Sequence, residues 1–331
     1  MKHRVYKPPV ALEVPHRYKL QAVPFGIDFV VPGFERSYPR GSMKVLALSD
    51  RDSRNWYRDF VAAIRNAIGK QYLPICRIAD GELLMMLGPQ PPDYRLSWRS
   101  RMRQLLSRIK EHYLLKGGIG PFTAGHYHSG EFSAEEWRQC RREFPELVQT
   151  LGRSGIIAWH FVYTNAPFHE HFFPALQRWT QRHEVQITEA NYYPFYFVYA
   201  LLTGPSRHEI FAGRSVLVVN GAEGEKRERI IAGIKAQGVK TVHWCPISLK
   251  RSYFDQVDIT PFIGRVDLAL VGAGIGKLRI LPQLAPLQVP CIDAGFVFET
   301  WANPDNRFKR VWCAADEDWA KIGSDPFSAG I

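Results

Sequence analysis

The sequence predicts an α/β protein built on a mostly parallel β-sheet that is covered by helices on both faces. Short, mostly apolar runs such as residues 216–221 and 266–272 are typical of strands that are buried on both sides. Stretches with helical spacing, such as residues 223–237, separate these runs, so strands and helices alternate along the chain. Alternation of this kind indicates parallel strands that are joined by helical connections.

The first half of the chain contains a clear helix and a clear strand. Apolar residues recur at four-residue steps from Trp56 to Ile68, which predicts a helix over residues 52–69 that is closed by a glycine. Residues 72–78 are predicted to form a short strand, and residues 81–87 the start of a helix.

Residues 95–116 are predicted to form an amphipathic helix with one basic face. This segment holds seven lysines and arginines against a single glutamate, which gives 7 − 1 = +6. Such a run is either a solvated face or a contact surface for an anionic acceptor, a membrane or nucleic acid.

The second half contains the repeating strand and helix pattern that defines the fold class. Six aromatic residues lie within residues 192–199, and they either fill the core or form a platform for a sugar or a base. The other predicted elements are strands over residues 155–161, 216–221, 241–244, 266–272 and 290–295, and helices over residues 223–237 and 277–287.

The composition limits the class of protein. The chain has 331 residues, and 43 lysines and arginines against 32 aspartates and glutamates give 43 − 32 = +11, which favours anionic partners. With 46% hydrophobic residues it is expected to fold, and no apolar run is long enough for a transmembrane helix. Five separated cysteines without a CxxC pair suit free thiols, so the predicted location is the cytoplasm.

The domain organisation follows from the distribution of prolines. Residues 1–45 are proline-rich and show no sustained period, so we expect an extended arm or a packed irregular segment there. Residues 46–331 show no linker or internal repeat, which predicts a single α/β domain.

The Asp80-Gly81-Glu82 turn is the most informative local motif. It follows a predicted strand, at the edge where open α/β sheets bind ligands. Two carboxylates joined by glycine can hold one divalent cation such as Mn²⁺ or Mg²⁺. The same pattern also describes an aspartate that caps a helix with a glutamate in its first turn.

Two glycine-containing turns offer sites for phosphate. Gly272, Gly274 and Lys277 lie in a strand-to-helix turn whose backbone amides and lysine charge suit phosphate, and Asn220 and Gly221 form a similar turn. Both turns are equally explained by close packing of the backbone.

Four histidines suggest a different chemistry. His126 and His128, and then His169 and His171, form two HxH pairs that could together bind zinc. Neither pair lies in an evident strand, and a surface or core role is the alternative. Serine or cysteine nucleophiles have no recognisable motif here.

Three segments resemble the GT-D-type glycosyltransferases, a Rossmann-like family. Residues 77–83 resemble its arginine-x-x-Asp-Gly-Glu signature, residues 215–221 its central strand and turn, and residues 267–274 its late strand and glycine turn. The Asp-Ala-Gly of residues 293–295 follows in the family's order, with Phe296 where the family usually has histidine. The resemblance spans residues 55–303.

The resemblance implies a fold, an activity and a set of site residues. It implies a Rossmann-like, GT-D-like sheet and a metal-dependent transfer of sugar from a nucleotide-diphosphate donor, with UDP-sugar as the expected donor, to a glycan or glycoconjugate hydroxyl. In that reading Asp80 and Glu82 hold Mn²⁺ or Mg²⁺, and Arg77 supports the phosphates. The residue that accepts the acceptor's proton is Glu299 or Asp293, since both follow the last predicted strand.

Two other functional classes stay open. One is a different Rossmann-type enzyme, a methyltransferase or a nucleotide-dependent reductase, with residues 272–276 as its cofactor loop. The other is a binding module for nucleic acid or anionic lipid that uses the basic face of residues 95–116. The first reading expects no specific nucleic acid partner, but it allows peripheral contact with an anionic membrane.

Overall fold

A computed structural model of the protein describes somewhat more than half of the chain. The described residues are 21–24, 44–48, 53–78, 82, 132–159, 162–163, 179–204 and 206–303.

The described part of the chain contains strands and helices in alternation. The strands are β1 (Gln21–Pro24), β2 (Lys44–Ala47), β3 (Leu73–Ile78), β4 (Ile156–Trp159), β5 (Val162–Tyr163), β6 (Tyr192–Pro194), β7 (Ser215–Asn220), β8 (Thr241–Pro246), β9 (Leu268–Gly272) and β10 (Pro290–Asp293). The α-helices are α1 (Ser53–Ala67), α2 (Ala134–Ser154), α3 (Phe195–Thr203), α4 (Arg207–Phe211), α5 (Gly224–Lys235), α6 (Lys277–Gln283) and α7 (Val297–Ala302). Short 3₁₀ turns occupy Ser252–Phe254, Thr260–Phe262, Gly274–Gly276 and Ala285–Leu287.

Seven of the strands form one parallel sheet, in the order β6-β4-β3-β10-β9-β7-β8. Its central strands are almost fully buried, which explains their continuous apolar sequence. Helices α2 and α6 pack against each other, and α5 packs against α7. The predicted α/β class with a parallel sheet is therefore confirmed.

Helix α1 shows how the apolar spacing generates the core. Trp56, Phe60 and Ile64 are each at most 2% exposed, and they line the face of α1 that covers the aromatic residues of β6 and α3. The helix is followed by Gly69 with a φ of +63°, as its closing position requires. The predicted aromatic cluster is buried, and it belongs to β6 and α3.

Three short strands form a separate small sheet. Strand β1 pairs antiparallel with β2, and β2 pairs antiparallel with β5. Residues 1–45, expected to be an extended or irregular arm, therefore include one strand and the start of another. These strands form because β2 pairs with β5, which is distant in the sequence. Local periodicity does not reveal such a pairing.

The direction of the chain across the main sheet reverses between β7 and β9, because β7 leads to β8 on one side and β9 leads to β10 on the other. Since crossover connections are right-handed, the helices after these two strands lie on opposite faces and leave a crevice at the carboxyl ends. Between β3 and β10 the direction is kept, since β9 leads to β10 and β3 leads to β4 the same way. The helices that follow β3 and β10 nevertheless pack on different faces: α2 packs against α6, whereas α7 packs against α5. The sheet thus offers two crevices, one between β3 and β10 and one between β7 and β9.

Candidate functional site

Four charged side chains meet in the crevice between β3 and β10. Arg77 is the penultimate residue of β3, Asp293 ends β10, Lys277 begins α6 after β9, and Glu82 follows β3. Their exposed fractions are 4%, 1%, 5% and 0%, respectively. The cluster thus places two cations and two anions inside the protein, where charged groups occur only when they are paired.

Arg77 and Asp293 form a two-point ion pair. Nε of Arg77 donates to Oδ2 of Asp293 at 3.1 Å, and Nη2 donates to Oδ1 at 2.9 Å. The backbone N–H of Arg77 also donates to Oδ2, at 3.3 Å. This geometry matches the planar fork of the guanidinium to the carboxylate, and it ties β3 to β10 at their carboxyl ends.

Lys277 links the two carboxylates. Its Nζ lies 2.8 Å from Oε1 of Glu82 and 3.0 Å from Oδ2 of Asp293. Since α6 begins at Lys277, the side chain starts near the ends of β9 and β10 and projects into the interior. The lysine that was expected to add charge to a phosphate-binding turn is instead paired with two buried carboxylates.

The mutual pairing decides the protonation of the cluster. Burial alone would raise the pKa of Asp293, but the charges of Arg77 and Lys277 hold it below its ordinary value. Burial alone would lower the pKa of Lys277, but Asp293 and Glu82 raise it above its ordinary value. Both partners are therefore charged at neutral pH.

The other side of the Arg77 guanidinium faces aromatic rings. Its Cζ lies 4.5 Å from the centroid of the Tyr199 ring and 5.3 Å from that of Phe195, both on α3. Rings at this distance stabilise a cation through their π faces. Among the described residues Nη1 of Arg77 has no hydrogen-bond acceptor. A buried guanidinium N–H without an acceptor is costly, and it suits an anionic oxygen of a ligand.

Gly295 makes room for this arginine. Its φ is +47°, and a Cβ at this position would overlap Nη2 of Arg77. The glycine of the Asp-Ala-Gly motif is therefore required both by its backbone conformation and by the side chain that packs on it.

The turn between β9 and α6 is packed tightly. A Cβ at Gly272 would overlap Asn220 and Phe298, and a Cβ at Gly276 would overlap Ser252. Gly274 has a φ of +52°, a left-handed conformation that favours glycine. Close packing thus accounts for Gly272 and Gly276, and backbone conformation accounts for Gly274. The helix that follows, α6, is only seven residues long.

Asn220 closes the second crevice. Its Nδ2 donates to the carbonyl of Gly272 at 3.0 Å, and its Oδ1 accepts from the N–H of Ala222 at 2.8 Å. The next residue, Gly221, lies against Leu249, where a Cβ would overlap the backbone. Asn220 thus holds the ends of β7 and β9 together, and Gly221 packs against the segment after β8; donor binding by these two residues stays a prediction.

The two predicted general bases differ in accessibility. Asp293 is fully engaged with Arg77 and Lys277, as described above. Glu299, on α7, pairs with Lys226 at 2.6 Å, and both side chains are partly exposed. Of the two, only Glu299 is reachable from solvent.

The described carboxylates do not form a site for a divalent cation. Glu82 and Asp293 share the ammonium of Lys277, and no group of three metal-ligating side chains occurs in the described ranges. A metal bound to Glu82 would also lie beside a buried like charge. Asp80 falls outside the described residues, so the predicted Mn²⁺ or Mg²⁺ at Asp80 and Glu82 stays a prediction.

Several other predicted features also lie outside the described residues. They are the helix expected over residues 81–87, apart from Glu82, the basic helix of residues 95–116, and the histidines His126, His128, His169 and His171. Glu82 itself is helical.

Three residues of the site were not singled out from the sequence. Gly295 was noted only as part of a motif, and Phe195 and Tyr199 only as members of an aromatic run. The position of Gly295 just after a predicted strand is the sequence signal for a turn with a positive φ. Nothing in the sequence pairs α3 with Arg77.

Comparisons with known proteins identify no relative of this chain. No protein-family model, curated protein or solved structure matches it. No helix in the described ranges is long and apolar enough to cross a membrane.

Proposed function

We propose that the chain is a glycosyltransferase that moves a sugar from a nucleotide-diphosphate donor, UDP-sugar in the first instance, to a hydroxyl of a glycan or glycoconjugate. The observation that carries this proposal is the buried N–H of Arg77, which points to an anionic ligand at the carboxyl ends of β3 and β10. Sugar transfer, as distinct from other uses of an anion, is supported by the order of the motifs that resemble GT-D-type enzymes.

In this proposal the cluster prepares the crevice for a diphosphate. Arg77 is held in place by Asp293 on one side and by the ring of Tyr199 on the other. Negative charge develops on the diphosphate as it departs. A hydrogen-bond donor that is already in position for this charge needs no rearrangement, and it therefore lowers the barrier of the transfer. The guanidinium is also planar, which suits phosphate oxygens.

Glu299 is the better candidate to accept the proton of the attacking hydroxyl. A general base needs access to the acceptor and a pKa near the working pH. The pKa of Asp293 is held low by Arg77 and Lys277, and its side chain is 1% exposed. Glu299 is partly exposed and lies on α7, just beyond β10.

The other enzyme classes receive less support. A methyltransferase or reductase would use residues 272–276 as a cofactor loop, but close packing already accounts for Gly272 and Gly276. The basic face that a nucleic-acid or lipid module requires lies outside the described residues.

Donor binding and turnover test the proposal. Calorimetric titration of the full chain with UDP should show binding, and UDP release from UDP-hexoses should be measurable. Glu299→Gln should lower turnover at least tenfold with donor affinity retained. Glu209→Gln, which removes an exposed partner of Arg65, is the matched control and should behave like wild type. Absence of UDP binding, or equal turnover in the two variants, would refute the assignment.

A further inference from the structure

We infer that the ammonium of Lys277 takes the position of a divalent cation in the crevice between β3 and β10, so that this chain binds its anionic ligand without Mn²⁺ or Mg²⁺. The inference rests on the proposed function for the identity of that ligand as a nucleotide diphosphate. The placement of Lys277 between two carboxylates can be tested without it.

The first argument is the convergence of two carboxylates on one cation. Oε1 of Glu82 and Oδ2 of Asp293 lie 2.8 and 3.0 Å from Nζ of Lys277. These are hydrogen-bond distances to an ammonium, whereas oxygen ligands of Mg²⁺ lie at about 2.1 Å. The carboxylate oxygens that a metal would need are therefore already directed at a resident charge.

The second argument is the charge balance. Glu82 and Asp293 carry two negative charges, and Lys277 and Arg77 carry two positive charges in contact with them. The buried cluster is neutral as it stands. A divalent cation would add two positive charges next to two buried cations, and the described residues include no group of three potential metal ligands that could offset them.

The third argument is that Lys277 is fixed in place. Its side chain is 5% exposed, and it starts at the first residue of α6. The preceding Gly276 lies so close to Ser252 that a Cβ would overlap it, and the Ser252 hydroxyl donates to the carbonyl of Ala273 at 2.7 Å. The start of α6 cannot swing away to release the carboxylates without breaking this contact.

Lys277 then supplies positive charge to the oxygens of the ligand, as a metal ion would. An ammonium has three N–H donors, and two of them are used by Glu82 and Asp293. The remaining one, together with Nη1 of Arg77, gives the crevice two cationic donors for diphosphate oxygens. The developing charge on a leaving diphosphate is thus met by side chains of the chain itself.

Metal binding and ligand affinity test the inference separately. Manganese titration of the ligand-free full chain, followed by the electron paramagnetic resonance signal of free Mn²⁺, should show no stoichiometric uptake. Calorimetry should give UDP affinities that agree within about twofold in EDTA and in excess Mn²⁺. Stoichiometric Mn²⁺ uptake that Glu82→Gln abolishes, or a tenfold gain in UDP affinity with Mn²⁺, would overturn the inference.

Removing the ammonium of Lys277 should create the Mn²⁺ binding that the wild-type chain lacks. Lys277→Met leaves Glu82 and Asp293 without their shared ammonium, so Mn²⁺ should now bind and raise the melting temperature. Arg65→Gln, which leaves the exposed Glu209 without its cation, is the control and should show no such response. If Lys277→Met folds and gains no Mn²⁺ response, the inference fails. If it does not fold, the wild-type titrations decide.

The outcomes separate this inference from the proposed function. Loss of UDP binding in both EDTA and Mn²⁺ would remove the glycosyltransferase proposal. The manganese titration would still decide whether Lys277 or a metal occupies the space between the two carboxylates.

Discussion

Arg77 and Asp293 join the carboxyl ends of β3 and β10 through a buried ion pair in which two guanidinium nitrogens meet two carboxylate oxygens, at 3.1 and 2.9 Å. The two residues are 216 positions apart in the sequence. The pair ties the two strands together at the centre of the sheet, and the same guanidinium lies against the ring of Tyr199. Stability and ligand binding therefore depend on the same side chains.

Removing the charge of Asp293 should strongly destabilise the fold. Asp293→Asn keeps the shape but leaves Arg77 and Lys277 with Glu82 as their single anionic partner in the cluster. Breaking a buried pair from one side costs about 3–5 kcal/mol in the free energy of unfolding. Urea denaturation followed by tryptophan fluorescence measures this loss.

The control for this prediction is an exposed ion pair. Glu209→Gln removes the partner of Arg65, where both side chains are about half exposed, and should cost less than about 1 kcal/mol. Equal losses in the free energy of unfolding for Asp293→Asn and Glu209→Gln would mean that the buried pair stabilises the fold no more than an exposed one.

The same pair should make the protein sensitive to acid. Because the pKa of Asp293 is lower in the folded state than in the unfolded chain, the unfolded state takes up the proton first as the pH falls. The stabilisation is complete above the unfolded pKa of about 4 and is lost as the pH drops through the folded pKa.

Urea midpoints at successive pH values check this direction. The stability gap between wild type and Asp293→Asn should be constant from pH 7 to about pH 5 and should shrink below about pH 4. A gap that stays the same down to pH 3 would show that Asp293 is not the group concerned.

Gly295→Ala should destabilise the protein through Arg77. The new methyl group would require a left-handed backbone at a φ of +47° and would overlap Nη2 of Arg77. Gly213→Ala is a matched control, because Gly213 also has a positive φ, +71°, but its Cβ would meet nothing within 4 Å.

The difference between the two variants isolates the steric contact. The left-handed backbone should cost each about 1–2 kcal/mol, and overpacking should cost Gly295→Ala about 1–3 kcal/mol more. Thermal and urea unfolding give both values. Similar losses would indicate that Arg77 shifts freely and is not held by its surroundings.

The strands of the main sheet were readable from the sequence because strands buried on both faces are continuous apolar runs. Helix α1 was readable because one side of it faces solvent, which creates a clear period. The helix predicted over residues 277–287 ends at Gln283 and is followed by a 3₁₀ turn, since Pro286 has no N–H to continue it.

Four helices of the described ranges, α2, α3, α4 and α7, were not predicted, and the two longest differ in the reason. Helix α2 carries a readable signal, a capping box between Ser133 and Glu136 followed by apolar residues at helical spacing. Helix α3 is buried on nearly all sides, so its sequence has no polar face and no period to detect.

The sequence predicted the residues of the candidate site but not the ion pairs that they form with each other. The resemblance indicated Arg77, the spacing from Asp80 indicated Glu82, and the place at the last predicted strand indicated Asp293. Lys277 was indicated by its charge in a glycine-rich turn. Their contacts depend on β3 lying next to β10, and the order of strands is set by contacts between distant parts of the chain. The roles assigned separately to a phosphate ligand, a metal ligand and a base thus converge in one ion cluster.

Asn220→Ala should reduce stability more than it reduces ligand binding. The substitution leaves the N–H of Ala222 and the carbonyl of Gly272 without their side-chain partner, which is expected to cost about 1–3 kcal/mol. Urea denaturation should show this loss, while calorimetry under native conditions should give a UDP affinity within about threefold of wild type. The reason is that Asn220 lies in the crevice between β7 and β9, whereas the buried donor of Arg77 lies between β3 and β10. If UDP affinity falls tenfold or more with little change in stability, the ligand uses both crevices, and Asn220 belongs to the binding site as its sequence position first suggested.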